Sequence, residues 1–348
     1  MSEPTATTTA PAVSPVATAP EPEQAPETTT TTESPAAPAP EPAAAPSAHG
    51  TAADAPKPEP TPASIAETKE PEEPEPQNEL TKKFTEREWR ALREFRRQLP
   101  QIFAEAYHPD SKGARSEPVK LWGVTIDPYA PNKDPRVSVV LMKFLRAREL
   151  NVKNAREMLV ATLRWRDEFK VDELVKEEFP QDIFGKLGFV AGKDKDGHPV
   201  TYNLYGAITD MNAVFGDIKR FIRWRVSLME KSIELLDFQS IDQMVQIHDY
   251  DGVSLLSGRD PNQKAAAAEA TNIFQNHYPE FLSKKFFINV PTVLTWIFWL
   301  FKPLVSANTL AKMSVVGKGQ STVFQALSPV IPKDQLPKRY GGDAPDLA

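Results

Sequence analysis

A histidine and a tyrosine two residues apart, His248 and Tyr250, are the residues of this 348-residue chain best placed to do chemistry. Residue types alternate through Met244–Tyr250 as in a strand. Period two therefore puts Met244, Gln246, His248 and Tyr250 on one face and Val245, Ile247 and Asp249 on the other. The first face is polar for a strand. It belongs either at a sheet edge, turned to water, or on the floor of a cavity, where imidazole and phenol, about 7 Å apart along the backbone, would reach one ligand.

A phenolate is an axial ligand suited to ferric haem, and nearby cations favour ionisation of a phenol whose ordinary pKa is about 10. Arg225 and Lys285 are candidates for that task, although an arginine on a helix is more often solvated or salt-bridged. Other chemistries lack their residues. The chain has no cysteine, which removes disulfides, thiolate metal sites and thiol nucleophiles. It has no GxGxxG, Walker, GxSxG or HExxH motif, and the paired Gly341–Gly342 follows Tyr340 as a turn would. His198, His248 and His277 stand singly, so the spacing offers no zinc site, and the acids form no catalytic pair.

Composition divides the chain. Residues 1–76 hold 18 of the 34 prolines with many Ala, Thr and Glu, which predicts a disordered tail. That tail carries 2 basic and 13 acidic residues, leaving 39 basic against 34 acidic in the body. The whole chain is −6 while the body is positive, which suits anionic membrane surfaces or phosphorylated ligands. The N-terminus lacks the basic-then-apolar pattern of a secretory signal, and its acidity argues against a mitochondrial presequence, so the expected residence is cytosolic.

The elements that must position these residues come in two groups. Leu80–Ala106 reads as one or two charged helices broken near Pro100, with Phe84, Trp89, Leu92 and Phe95 as a stripe. An apolar island around Trp122 precedes a Pro-rich turn, then Val137–Leu150 is helical. Asn151 is an N-cap for a helix whose stripe runs from Val152 through Ala155, Met158, Leu159, Leu163 and Phe169. On this reading helices precede every strand. After Gly188, strands are expected at Phe189–Gly192, Pro199–Tyr205, Met244–Tyr250, Phe287–Val290 and Met313–Val316, with helices at Asp217–Phe238 and Ala265–Gln275. Strands alternating with long helices give an α/β sheet with parallel pairs behind an all-helical lobe.

Between the last two strands, Val293–Leu304 is apolar almost all round, with Leu294, Ile297, Phe298 and Phe301 at helical spacing and Trp296 and Trp299 on the flanks. The run of about 16 residues is short of a membrane span of about 20. It is either a buried core helix or a mobile gate over a hydrophobic cavity that touches bilayers.

Three segments carry a family resemblance. KFLRARELNVKNAREMLVATLRWRDEF (Lys143–Phe169) resembles the N-terminal helical signature of CRAL-TRIO lipid-transfer proteins. HYPEFLSKKFFINVPTVLTWIFWLFKPLVSANTLAKMSVVG (His277–Gly317) looks like their lipid-binding core, and IHDYDGVSLL (Ile247–Leu256) extends the match over roughly 80–342. The HDY triplet and NLYG at Asn203–Gly206 make the chain similar to the fungal non-classical phosphatidylinositol transfer protein branch, whose members are associated with haem b. Behind the tail at 1–76 that composition predicts, the resemblance implies a helical lobe at 77–175 and a lipid-binding domain at 176–345 whose mixed or parallel sheet and helical gate near Trp296–Phe301 enclose a hydrophobic pocket. It carries the inositol-phosphate motif onto Glu280, Thr309 and Lys312, with Arg146 or Arg148 joining them. Lys312 and Thr309 share a helical face and can donate to phosphate, Glu280 can accept from inositol hydroxyls, and Thr309 could equally be a helix cap. For haem it implies Tyr250 as the iron ligand with His248, Arg225 and Lys285 around the cofactor. A further tyrosine that some relatives place in the FLRAR region is replaced here by Arg148.

The function so implied is phosphatidylinositol exchange at membranes in support of phosphoinositide homeostasis, without covalent turnover, together with haem binding. The alternative is a haem protein of oxidant stress with little lipid transfer. A peroxidase-like enzyme is disfavoured because no proton-handling distal arrangement is visible. The resemblance places the chain in the cytoplasm, peripheral on endoplasmic reticulum and other internal membranes, with no nucleic-acid partner. The sequence leaves the oligomeric state open.

Overall fold

A computed structural model describes residues 75–107, 117–174, 176–253, 260–291 and 310–347. Helix α1 (Glu86–Arg97) starts at a capping box. The Thr85 hydroxyl accepts from the Glu88 amide, and the Glu88 carboxylate accepts from the Thr85 amide at 2.8 Å. Gln98 separates it from α2 (Leu99–Ala106), with Pro100 in the first turn of α2, where its missing N–H costs nothing. Next comes an antiparallel hairpin, β1 (Val119–Leu121) and β2 (Val124–Ile126). This corrects the expectation that helices precede every strand. The turn is Trp122-Gly123, both at positive φ (51° and 80°), the conformation a two-residue hairpin turn needs, but three-residue arms and a tryptophan give no hairpin signal in sequence.

Helix α3 (Pro135–Arg146) is capped by Asp134, and α4 (Val152–Phe169) by Asn151, whose side chain accepts from the Asn154 amide at 3.0 Å. The stripe of α4 buries Ala155, Met158, Leu159 and Leu163. Short helices α5 (Val171–Leu174) and α6 (Gln181–Phe184) lead to the sheet.

The strands are β3 (Gly188–Lys193), β4 (Pro199–Leu204), β5 (Met244–Asp249), β6 (Leu282–Ile288) and β7 (Met313–Val315), in the order β3-β4-β5-β6-β7. The β3/β4 pair is antiparallel and the rest are parallel, the β4–β5 crossover running through α7 (Met211–Phe215) and α8 (Ile218–Ile233) and the β5–β6 crossover through α9 (Pro261–His277). Helix α10 (Gln320–Leu327) follows β7. Strand β6 begins five residues before the expected Phe287. Ser283, Lys284 and Lys285 interrupt the apolar run without interrupting the ladder, because only alternate side chains there are buried. Helix α9 starts four residues early because Asp260 caps it and Pro261 suits its first position.

The sheet's faces differ. Val200, Tyr202, Leu204, Val245, Ile247, Phe286 and Ile288 pack with Val323, Leu327, Leu336 and Tyr340 in one core. The opposite face carries Thr201, Asn203, Gln246, His248, Lys285 and Phe287, matched across strands as Thr201–Gln246–Lys285 and Asn203–His248–Phe287. Helix α8 lies over its β3–β4 side: Ser232 bonds Thr201 at 3.0 Å and Arg225 bonds Asn203. Among the described residues no helix is long and apolar enough to cross a membrane. The expected gate, Trp296–Phe301, lies outside the described residues.

Candidate functional site

Strand β5 is the central strand of five, paired on both sides, so the edge-strand reading of its polar face is displaced. His248 is 5 % exposed, between Asn203 on β4 and Phe287 on β6. Its Nδ1 lies 2.8 Å from the Tyr205 hydroxyl, just past the end of β4. Whichever of those two atoms carries the proton, the buried Nε2 has no partner among the described residues. Burial, reinforced by the Lys285 and Arg225 charges, pushes the imidazole well below its ordinary range and keeps it neutral.

Rings gather round it. Tyr205 is 5.2 Å from Tyr250 and 5.5 Å from His248 between centroids, while Phe287 lies 5.3 Å from His248 and 6.4 Å from Tyr250. The Lys285 ammonium sits 5.2 Å from the Phe287 ring centre, and burial together with the Arg225 charge brings its pKa down to about 8. Arg225 donates to Asn203 and lies over the Trp224 and Phe274 rings. Its charge acts on Tyr205 rather than on Tyr250. The Tyr250 phenol is held above its ordinary range by burial and then by the Tyr205 phenol. Of the two cations, Arg225 acts on the neighbouring Tyr205 phenol and Lys285 on His248.

Arg225, His248, Tyr250 and Lys285 therefore share one region of one sheet face. Tyr205 and Asn203 complete it, and sequence reasoning assigned neither. Both lie in the NLYG segment, whose glycine is the signal: a Cβ on Gly206 would sit 1.3 Å from the Asp251 carbonyl oxygen, so only glycine lets the turn bearing Tyr205 lie against the end of β5.

At the other end of β6, Glu280 and Lys312 meet, Oε2 to Nζ 3.3 Å. Glu280 is at φ 55°, a costly backbone region for a non-glycine residue. Its carbonyl accepts from Lys143 Nζ at 3.0 Å and from the Gln243 amide at 3.3 Å. Lys143, 2 % exposed, also bonds the Asp242 carbonyl and carboxylate, at 2.6 and 2.8 Å. It is a support that sequence reasoning missed, although a lysine amid Val139, Val140, Met142 and Phe144 is a detectable anomaly. Lys312 lines a recess with Ser283, Lys284 and Ser314 on the α10 side of the sheet, away from His248. Arg146 instead pairs with Glu88 at 2.7 Å over the Phe84 ring, and Arg148 donates to the Ala147 carbonyl and lines a separate recess with Glu157 and His277. Among the described residues neither arginine bonds Glu280 or Lys312. Thr309 lies outside the described residues. Asp194, Asp196 and His198 converge within 4.8 Å at the β3–β4 turn, but the Asp194 carboxylate is spent closing that turn on the Asp196 and His198 amides and the His198 ring.

A helical lobe followed by a mixed sheet of this order has known counterparts. The CRAL/TRIO domain model matches residues 184–342 and the CRAL/TRIO N-terminal domain model residues 91–161. The chain belongs to the CRAL-TRIO family. It is 36 % identical over 271 residues to the phosphatidylinositol transfer protein sfh5 of Aspergillus oryzae, covering 74 % of this chain and 56 % of that one. It is 37 % identical over 274 residues to the sfh5 of Aspergillus fumigatus, covering 74 % and 60 %. The chain thus spans less than two thirds of these curated relatives. The crystal structure of Sfh5 superimposes with a TM-score of 0.61 at 27 % identity, covering 76 % of this chain and 90 % of that one.

Proposed function

We propose that this protein binds phosphatidylinositol and exchanges it between membranes, a binding function without covalent turnover, working at the cytosolic surface of the endoplasmic reticulum and other internal membranes. The observation that carries this reading is the Glu280–Lys312 pair at 3.3 Å, held on a backbone that Lys143 fixes. The lysine can donate to a phosphate and the carboxylate can accept inositol hydroxyls, so one headgroup replaces their mutual contact with two charge-assisted ones. Burying acyl chains, at about 0.8 kcal/mol per methylene, then offsets the cost of extracting a lipid from a bilayer. The relatives named as phosphatidylinositol transfer proteins support the same ligand. Transfer of labelled phosphatidylinositol between vesicles tests it. Lys312→Glu should reduce transfer at least about tenfold through like-charge repulsion, as should Thr309→Asp, with folding retained; undiminished transfer in both refutes the headgroup assignment.

A second reading, haem b binding, is favoured by the His248 Nε2, which has no partner among the described residues, near a phenol and two cations. The donor set fits: the Tyr250 oxygen would hold the iron, His248 would stand beside it, and Arg225 and Lys285 would supply positive charge around the macrocycle. When bound, the group would supply redox-active iron. Tyr250 enters this role as a neutral phenol and must lose its proton on ligation, so haem uptake should release a proton. Purified protein lacking Soret absorbance, or a spectrum unchanged in Tyr250→Phe, rejects this second reading while leaving lipid transfer standing.

A further inference from the structure

Helix α1 turns a row of arginines outward. Arg87, Arg90 and Arg97 are exposed and Arg93 is half-buried, and spacings of three and four residues put Arg90, Arg93 and Arg97 on one face. Among the described residues none of the four pairs with an acid. Glu88 is taken by Arg146, while Glu86 and Glu94, exposed on the same helix, bond none of them. Only the inner edge of the row is answered. There Arg96, 7 % exposed, bonds the Glu75 carboxylate at 2.6 Å and the Ser138 hydroxyl.

Glu75 is the first described residue, so the chain enters the fold on α1 itself. The residues just before it read Glu70-Pro71-Glu72-Glu73-Pro74, three further acids within five positions of one already seated. At no more than about 3.6 Å per residue, Glu73 and Glu72 reach about 7 and 11 Å from Glu75, and Glu70 reaches about 18 Å. Along the helix axis Arg97 and Arg93 stand about 1.5 and 4.5 Å from Arg96, and Arg90 about 9 Å, at 1.5 Å per residue. Each of these three arginines is therefore within reach of an acid on this stretch. The two prolines reduce the conformational freedom that ordering it would cost.

We infer that the acidic stretch 70–73 docks on the Arg90, Arg93 and Arg97 face of α1, extending the Glu75–Arg96 contact, and shields that face from anionic surfaces. Charge, reach and point of entry all select this segment as the occupant. A single exposed pair is worth little and weakens in salt. Three acids on a tether a few residues long act together, because the tether holds them at an effective concentration in the millimolar range. The latch is weak by construction, so it holds at low ionic strength and yields to a denser array of negative charge. It is independent of both ligand readings, which concern the sheet.

The chain has no cysteine, so an introduced pair reports alone. In the full chain, Pro71→Cys with Glu94→Cys should form a disulfide under mild oxidation at least about fivefold faster at about 20 mM than at about 500 mM NaCl. Adding Glu70→Gln, Glu72→Gln and Glu73→Gln together should bring the low-salt rate down to the high-salt one, and so should Arg90→Gln, Arg93→Gln and Arg97→Gln together. The tether and the two cysteines are the same throughout, so mere proximity cancels and only charge differs. A low-salt rate that either set leaves unchanged overturns the inference. Equal rates in all forms, together with sedimentation on phosphatidylserine vesicles that the arginine set abolishes, would assign the face to a bilayer and overturn it as well.

Discussion

Replacing Lys143 by methionine isolates one buried charge and its three bonds. The ammonium, on a side chain 2 % exposed, donates to the Asp242 carbonyl, the Asp242 carboxylate and the Glu280 carbonyl, and lies 4.4 Å from the Phe281 ring centre. Methionine keeps the length and loses every donor. Burial lowers the amine's pKa and Asp242 opposes that shift, so the pair holds together only because each charge answers the other. Removing one partner strands the Asp242 carboxylate, 15 % exposed, and frees two carbonyls, which together cost about 3–5 kcal/mol. At roughly 2–4 °C per kcal/mol for a body of this size, Tm should fall by about 6–20 °C. Urea unfolding of the full chain by circular dichroism gives the number directly. Lys143→Met/Asp242→Asn should recover part of the loss because no bare carboxylate remains. A loss under about 1 kcal/mol, or a double variant no better than the single, would refute the claim that this lysine props the strained Glu280 turn.

Three further outcomes follow from the same contacts. Gly206→Ala puts a methyl 1.3 Å from the Asp251 carbonyl and should cost at least about 3 kcal/mol, read as a lowered urea midpoint; a midpoint near wild type would show the turn can move. Tyr340→Phe removes the 2.8 Å bond to the buried Asp249 carboxylate and should cost about 1.5–3 kcal/mol while leaving the Tyr202 stacking intact, measured in the same assay. His248, held well below its ordinary range, and His277, brought down to about 4 by burial, both refuse in the folded state a proton that the unfolded chain accepts. Stability should therefore fall as pH drops below about 6.5, and His248→Gln/His277→Gln should flatten the fall between pH 7.5 and 5; an unchanged slope would show that neither group is buried as described.

How far a sequence discloses such a site depends on how local its cause is. The alternation from Met244 to Tyr250 is a property of consecutive residues, and the faces it predicts are the faces observed. Whether the polar face looked at water or at a cavity was not local. It turns on β4 and β6 flanking β5, pairings set by segments some forty residues away on either side. Tyr205 escaped notice because it lies past the end of β4, where period two no longer says which way a side chain points, and only the Gly206–Asp251 approach brings it to His248. Lys143 escaped because the KFLRAR segment draws attention to its arginines, while the partners that explain the lysine are 99 and 137 residues away.

Asp249 and His248 are neighbours in sequence with opposite fates, and the difference bears on function. Asp249 faces the α10 side and is saturated: Tyr340 and Asn289 donate to it at 2.8 Å each, and the Asp251 amide at 2.9 Å. It is a carboxylate used up in closing the fold. His248, one residue earlier and across the sheet, keeps an Nε2 with no partner among the described residues and feels the Lys285 and Arg225 charges, which no acid among those residues pairs. Had the chain needed only stability on that face, an acid there or apolar residues in place of all three would serve better, since well-packed hydrocarbon matches or exceeds a buried ionic group. One face of a single strand is spent on holding the sheet together, and the other is held in deficit of negative charge, which is the condition a ligand can relieve.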